Sequence, residues 1–201
     1  MALRHAILAA LADGESSGYD LAKSFDIAIA NFWTANPQQL YRELEKMESE
    51  GLVQARLVQQ DRRPNKNLFA LTDAGRFALH EFTAHAPKPI AIRDELLVQV
   101  EAMELGNIPS IRANLESKLA SAQRKLMRYQ RNREHLLGGR TEQDYLEHAD
   151  RLGPYLTLAR GIAFEAENVR WCQFVLTVLA RRSGGIKPSQ TSASASAYQE
   201  G

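Results

Sequence analysis

Apolar side chains along the first fifty residues recur at helical steps. Leu3, Ile7, Leu8 and Leu11 share one face, and Gly14 ends that segment. Ser17 stands before a second short helix in which Tyr19, Leu21, Ala22 and Phe25 are the expected apolar contacts. Asn36-Pro37-Gln38-Gln39 announces a third: Asn36 can cap, Pro37 suits the first helical position, and Gln39 sits where a capping-box partner reaches back. Leu40, Leu44 and Met47 then form one buried stripe, and Gly51 closes the helix in the left-handed conformation. After Gly51 the period drops to two. Leu52 to Gln60 and Asn67 to Leu71 read as strands around the polar turn Asp61 to Lys66. Thr72 and Asp73 precede a fourth helix, Ala74 to about Ala84, with Phe77 and Phe82 among its apolar residues. Helix, helix, helix, hairpin, helix is the order of a winged helix-turn-helix.

Pro87-Lys88-Pro89 discourages helix and predicts a hinge, beyond which the chain reads as helical to Arg182. Ile108, Ile111, Leu115, Leu119, Ala122, Leu126, Tyr129 and Leu136 fall largely on three- and four-residue steps, broken at Arg133. A last helix, Tyr155 to Arg182, is apolar on more than one side. So wide an apolar surface needs cover on two sides, from its own long helix and from a partner subunit. Leu115, Leu119, Leu126, Trp171, Val175 and Leu179 are the expected dimerisation residues, and a self-contained helical hairpin is the alternative. From Ser183 the chain turns Ser/Gly/Ala-rich, which predicts disorder. The expected organisation is mainly α with a small β-hairpin wing. It comprises an N-terminal winged helix-turn-helix over 1–86, a C-terminal helical dimerisation and possible effector domain over 87–182, and a disordered tail over 183–201.

Composition narrows the function. Hydrophobic residues make up 44% and charged residues 24%, ordinary for a globular chain with a real core. The lone Cys172 excludes an intramolecular disulfide and a thiolate zinc site, and its apolar helical setting predicts a small buried hydrophobe. The apolar run after Met1 faintly imitates a signal peptide but is short and reads as folded helix; with no membrane-length span elsewhere, a cytoplasmic location is expected. Five histidines show no metal-binding spacing, and neither a phosphate-cradling glycine loop nor a nucleophile elbow is present, so no catalytic, metal or cofactor site is expected. Glu101 and Glu104 could converge, yet such surface pairs are routine on helices. Net charge is only +1; residues 1–86 carry nine Lys/Arg against eleven Asp/Glu, so any nucleic-acid surface must be a local basic cluster.

Four blocks in winged-helix order carry a resemblance: Ser17-Gly18-Tyr19-Asp20-Leu21-Ala22; Phe32-Trp33; Leu40-Tyr41-Arg42-Glu43-Leu44 through Gly51-Leu52-Val53; and Arg63-Pro64-Asn65-Lys66 through Thr72-Asp73-Ala74-Gly75-Arg76. With them the chain resembles the PadR-type transcriptional regulators, in the branch with a long helical C-terminal region. Phe69 stands where that family often has tyrosine, and Ala35-Asn36-Pro37 varies the usual helix entry. The resemblance implies a homodimer whose C-terminal helices form the interface and whose wings straddle a pseudo-palindromic operator. It also implies repression, commonly relieved by a small apolar or aromatic molecule. Trp33 and Trp171 could line such an effector cavity at the dimer interface, though both also suit a core.

With Leu40 at the centre of the buried face and about 100° per residue, Gln38 and Arg42 fall opposite, flanked by Gln39, Tyr41 and Lys46. Gln can pair with adenine N6/N7 and Arg with guanine O6/N7, which makes Gln38 and Arg42 the candidates for base reading. On a lone helix this face would read as merely solvated; beside a wing and the four blocks it reads as DNA-facing. Glu43, Glu45, Glu48 and Glu50 lie mostly toward the carboxyl half, so only the amino-terminal turns should enter the groove deeply. Arg62, Arg63 and Lys66 at the hairpin tip suit phosphates or a narrow minor groove, and Ser17, Tyr19 and Lys23 could position the backbone. The cationic wing also speaks against the rival reading, a winged helix used only for protein contacts. The basic face of the long helix (Arg112, Lys118, Arg124, Lys125, Arg128, Arg131) reads as solvated surface.

Overall fold

The computed structural model describes residues 2–25, 35–59, 65–89 and 93–185. In chain order the elements are α1 (Ala2–Leu11), β1 (Ser16–Ser17), α2 (Gly18–Ser24), α3 (Pro37–Ser49), β2 (Val53–Val58), β3 (Lys66–Leu71), α4 (Asp73–Ala84), α5 (Glu95–Glu101), α6 (Ile108–Leu137), α7 (Glu142–His148) and α8 (Gly153–Gly185). The fold is mainly helical with a small antiparallel sheet ordered β1-β3-β2. No helix among the described residues is long and apolar enough to cross a membrane.

Two compact units divide the chain, one of Met1–Ile92 with Leu126–Phe164 and a second of Arg93–Lys125 with the stretch from Glu165. In the first, Ile7, Leu8 and Leu11 of α1 meet Leu21 and Phe25 from α2, Leu40, Leu44 and Met47 of α3, and Val53, Phe69 and Leu71 of the sheet. The hairpin is in register from Val53↔Leu71 to Val58↔Lys66, and its base packs on that core while Leu57 is exposed. The remainder of this unit turns on two tyrosines. Tyr155 Oη donates to Glu142 Oε1 at 2.6 Å, Tyr145 Oη donates to the Arg151 carbonyl at 3.2 Å, and the two rings lie 5.2 Å apart.

The second unit has its own core of Ile111 and Leu115 from α6 with Cys172, Val175 and Leu179 from α8, flanked by Leu96 and Val100 of α5. Lys125 reaches Glu165 at 3.2 Å, pairing a buried carboxylate that also accepts from Asn168 Nδ2 at 3.0 Å. Cys172 is fully buried, as its apolar setting predicts.

Several expectations need correcting. Tyr19 of α2, expected among the apolar contacts, is 72% exposed and does not serve the core; Phe77 of α4 is 65% exposed. Phe82 is also exposed, its ring stacked on that of His5 at 3.9 Å. The two-residue strand β1 was not foreseen, because a strand so short has no periodicity of its own and exists through pairing with β3. The region beyond Pro89 is not helical throughout: turns separate α5, α6, α7 and α8. Helix α8 continues to Gly185, three residues past the expected end, and the rest of the tail lies outside the described residues.

Candidate nucleic-acid interface

Local chemistry fixes both ends of α3. Asn36 Oδ1 accepts from the Gln39 N–H at 2.8 Å while Gln39 Oε1 accepts from the Asn36 N–H at 3.2 Å, a complete capping box with Pro37 in the first turn. At the other end Gly51 takes φ +71°, and the N–H groups of Leu52 and Gly51 donate to the carbonyls of Met47 and Glu48, both at 2.9 Å. This is the Schellman closure that a glycine just past the helix permits. Thr72 then ties α3 to α4: its Oγ1 donates to the Gly51 carbonyl at 2.6 Å and accepts from the Gly75 N–H at 3.1 Å.

The helix thus held buries Leu40, Leu44 and Met47 and leaves Gln38, Gln39, Tyr41, Arg42 and Lys46 exposed. Among the described residues, Gln38 and Arg42 on the amino-terminal half of that outer face take no part in the cap or in the Arg4 ion pairs. Gln39 is exposed but committed to the cap. Two of the four acidic residues are drawn to α1: Arg4 binds Glu43 through Nε at 3.1 Å and Glu50 through Nη1 at 2.8 Å. Arg4 thus offsets the charge of the half-buried Glu43 and the exposed Glu50, while Glu45 and Glu48 are exposed outside this clamp. The role of Arg4 was not anticipated from sequence, since the pairing spans 39 residues.

Helix α2 is set on the sheet by Ser17, which pairs with Leu68 in β1 and caps α2 by accepting from the Asp20 N–H. Ser17 is 5% exposed and its hydroxyl donates to Asp20 Oδ2 at 2.6 Å. Ser17, expected among the positioning contacts to the DNA backbone, is buried here and caps α2. Tyr19 and Lys23 on the same helix are exposed. Tyr41 packs over the start of α2, where a Cβ on Gly18 would fall 2.3 Å from its ring. Lys66 is half-buried as the first residue of β3, not a turn residue. Arg62 and Arg63 lie outside the described residues, as does Trp33. Arg56 on β2 pairs with Glu15 at 2.6 Å.

The dimerisation set separates into two groups. Leu115, Val175 and Leu179 are spent inside one chain, in the core of the second unit, so their burial requires no second copy. Leu119, Leu126 and Trp171 are half-buried. Of the second unit's apolar side chains, Phe174, Val98 and Leu105 are 65%, 69% and 99% exposed.

The first unit holds a cavity of about 460 Å³ lined mainly by α1, the end of α6 and the start of α8. Ala6, Ala9 and Ala10 form one wall and Leu136, Pro154 and Leu158 another. Trp171 is not among the residues that line it.

Residues 7–81 match the family of PadR-like transcriptional regulators, and residues 92–180 match the C-terminal domain of the virulence activator alpha family. A probable transcriptional regulator of Mycobacterium tuberculosis is 31% identical over 192 residues, spanning 90% of this chain and all of the relative. The negative transcriptional regulator PadR of Bacillus subtilis is 29% identical, over 88% of this chain and 97% of its own. The crystal structure of that Bacillus protein in complex with operator DNA superposes with a TM-score of 0.72 at 28% identity, covering 89% of this chain and 99% of the other. Its complex with p-coumaric acid gives 0.67 at 27% identity, covering 89% and 95%.

Proposed function

The chain belongs to the PadR-like family of transcriptional regulators, and from that premise we propose that it is a homodimeric repressor. It binds a pseudo-palindromic operator through α3 and the wing, and releases it when a small apolar or aromatic effector enters. The observation that carries the DNA reading is the exposed amino-terminal face of α3, where Gln38 and Arg42 stand clear while Glu43 and Glu50 are held by Arg4. Gln38 and Arg42 read base edges in the major groove. Tyr41 and Lys46 flank them, and Tyr19 and Lys23 contact the phosphate backbone. Gln39 serves the entry of the helix. Lys66, with Arg62 and Arg63 at the wing, supplies sequence-independent phosphate contacts.

In this reading residues 1–86 bind DNA and 87–182 bring two copies together, with Leu119, Leu126, Trp171 and exposed Phe174 at the interface. Repression is supported by the name of the Bacillus relative, and an effector by that relative's complex with p-coumaric acid. The cavity beside α1 falls within the range of about 300–1,000 Å³ usual for small-molecule sites. A non-enzymatic, cytoplasmic protein completes the picture.

The test begins with genome-wide footprinting to recover the operator, followed by gel-shift titration. Arg42→Ala is expected to weaken specific binding by roughly 1–3 kcal/mol and to relax sequence preference. Lys66→Ala should weaken binding to all duplexes alike and lower the salt slope by about one. Unchanged operator affinity in Arg42→Ala would show that the recognition face has been misassigned.

A further inference from the structure

We propose that the Asp13–Arg151 pair makes the cavity beside α1 selective for an uncharged aromatic or apolar ligand bearing a hydroxyl, and against carboxylates. This rests on the reading that the cavity holds the effector. Two oppositely charged side chains line it, Arg151 and Asp13, and they face each other: Arg151 Nη1 is buried against Asp13 Oδ1. Their charges cancel at the wall. A ligand carboxylate that takes Arg151 Nη1 must displace a carboxylate already tethered beside it, which competes at high effective concentration. It would also bring a second negative charge next to Asp13.

The remaining polar groups point the same way. Ser24 Oγ donates its proton to the Leu21 carbonyl at 2.8 Å, and Thr157 Oγ1 donates to the Gly153 carbonyl at 3.0 Å. What the Ser24 hydroxyl can offer a ligand is therefore a lone pair, and the Asp13 carboxylate is an acceptor as well. His135, also in the lining, can donate or accept. The Ser24 and Asp13 acceptors suit a phenol or alcohol O–H and serve a carboxylate poorly, because a carboxylate needs donors. The alanines of α1 leave a low, flat wall against which an aromatic ring can lie.

The experiment compares p-coumaric acid with its methyl ester, which share ring and phenol and differ in charge, by calorimetric titration of the full chain. The ester is expected to bind more tightly by up to about fivefold, the upper range for competition with an exposed ion pair. Asp13→Asn, which releases Arg151, should improve the acid until the two ligands agree within about twofold, with ester affinity unchanged. Arg151→Gln should leave the ester unaffected and the acid no better. An acid that binds the native protein as tightly as the ester, an unaltered preference in Asp13→Asn, or acid binding that collapses in Arg151→Gln each overturns the selectivity while leaving the cavity as a ligand site. Ala9→Phe, which fills the cavity from its exposed side, should abolish binding of both. Ester binding that survives in Ala9→Phe, or no binding of either ligand to the native protein, overturns the cavity reading itself and the selectivity with it.

Discussion

At the scale of single residues, close approach matters more than propensity. A Cβ on Gly75 would sit 2.0 Å from the backbone oxygen of Leu52, the residue that leads from α3 into β2. Backbone cannot step aside as a side chain can, so Gly75→Ala is expected to cost about 1–3 kcal/mol, read as a lower urea midpoint with an unchanged slope. Gly18 meets only the edge of the Tyr41 ring, which has freedom to turn; the same substitution there should cost less and disturb DNA binding more. Burial pushes the Cys172 thiol above its ordinary range, because the thiolate would have to form inside the core of the second unit. The native protein is therefore expected to resist alkylation at neutral pH and to react once unfolded in urea; fast labelling of native protein would contradict its placement. The contrast explains which residues were legible. Gly51 could be read from sequence because a left-handed closure is local chemistry. Gly75 and Gly18 could not, because what constrains them, Leu52 and Tyr41, lies more than 20 residues away in the chain.

At the scale of elements, length decided legibility. Helices α3, α6 and α8 and the β2–β3 hairpin emerge within three residues of their expected ends, since each repeats its pattern several times. The two-residue β1 and the seven-residue α5 and α7 do not repeat, and form because neighbours complete them. Among the site residues, the outer face of α3 followed from periodicity, whereas the clamp of Arg4 on Glu43 and Glu50 required the fold. The capping box yields a prediction that separates architecture from recognition. Gln39 bonds back to Asn36, while Gln38 beside it has no such duty. Gln39→Ala should lower stability by up to about 1 kcal/mol and leave the ranking of operator variants intact, since the lost contact is a cap. Gln38→Ala should leave stability within about 0.5 kcal/mol and flatten discrimination at one base pair. The pair is read by thermal melts alongside competition gel shifts, and a reversed pattern would exchange the two roles.

At the scale of the whole molecule, the question is what the apolar surface of the C-terminal half is for. Leu115 is fully buried within its own chain, so Leu115→Ala opens a cavity in one subunit and should cost about 2–5 kcal/mol whatever the oligomeric state. Phe174 is its opposite: on the same unit, yet 65% exposed, it contributes little to the fold of one chain. If two copies associate through this surface, Phe174 is an aromatic of the kind that anchors interfaces, worth about 2 kcal/mol when truncated, or roughly thirtyfold in the dimer dissociation constant. Phe174→Glu should therefore shift the protein toward monomer in sedimentation analysis while its helical content and the concentration-independent part of its unfolding are retained. Operator affinity should fall in step, because a monomer engages one half-site and forfeits the gain from linking two. Leu115→Ala should instead reduce stability first and association only as unfolding proceeds. A Phe174→Glu protein that stays dimeric would move the interface to other apolar positions, and one that loses dimer but keeps full operator affinity would break the link between association and DNA binding.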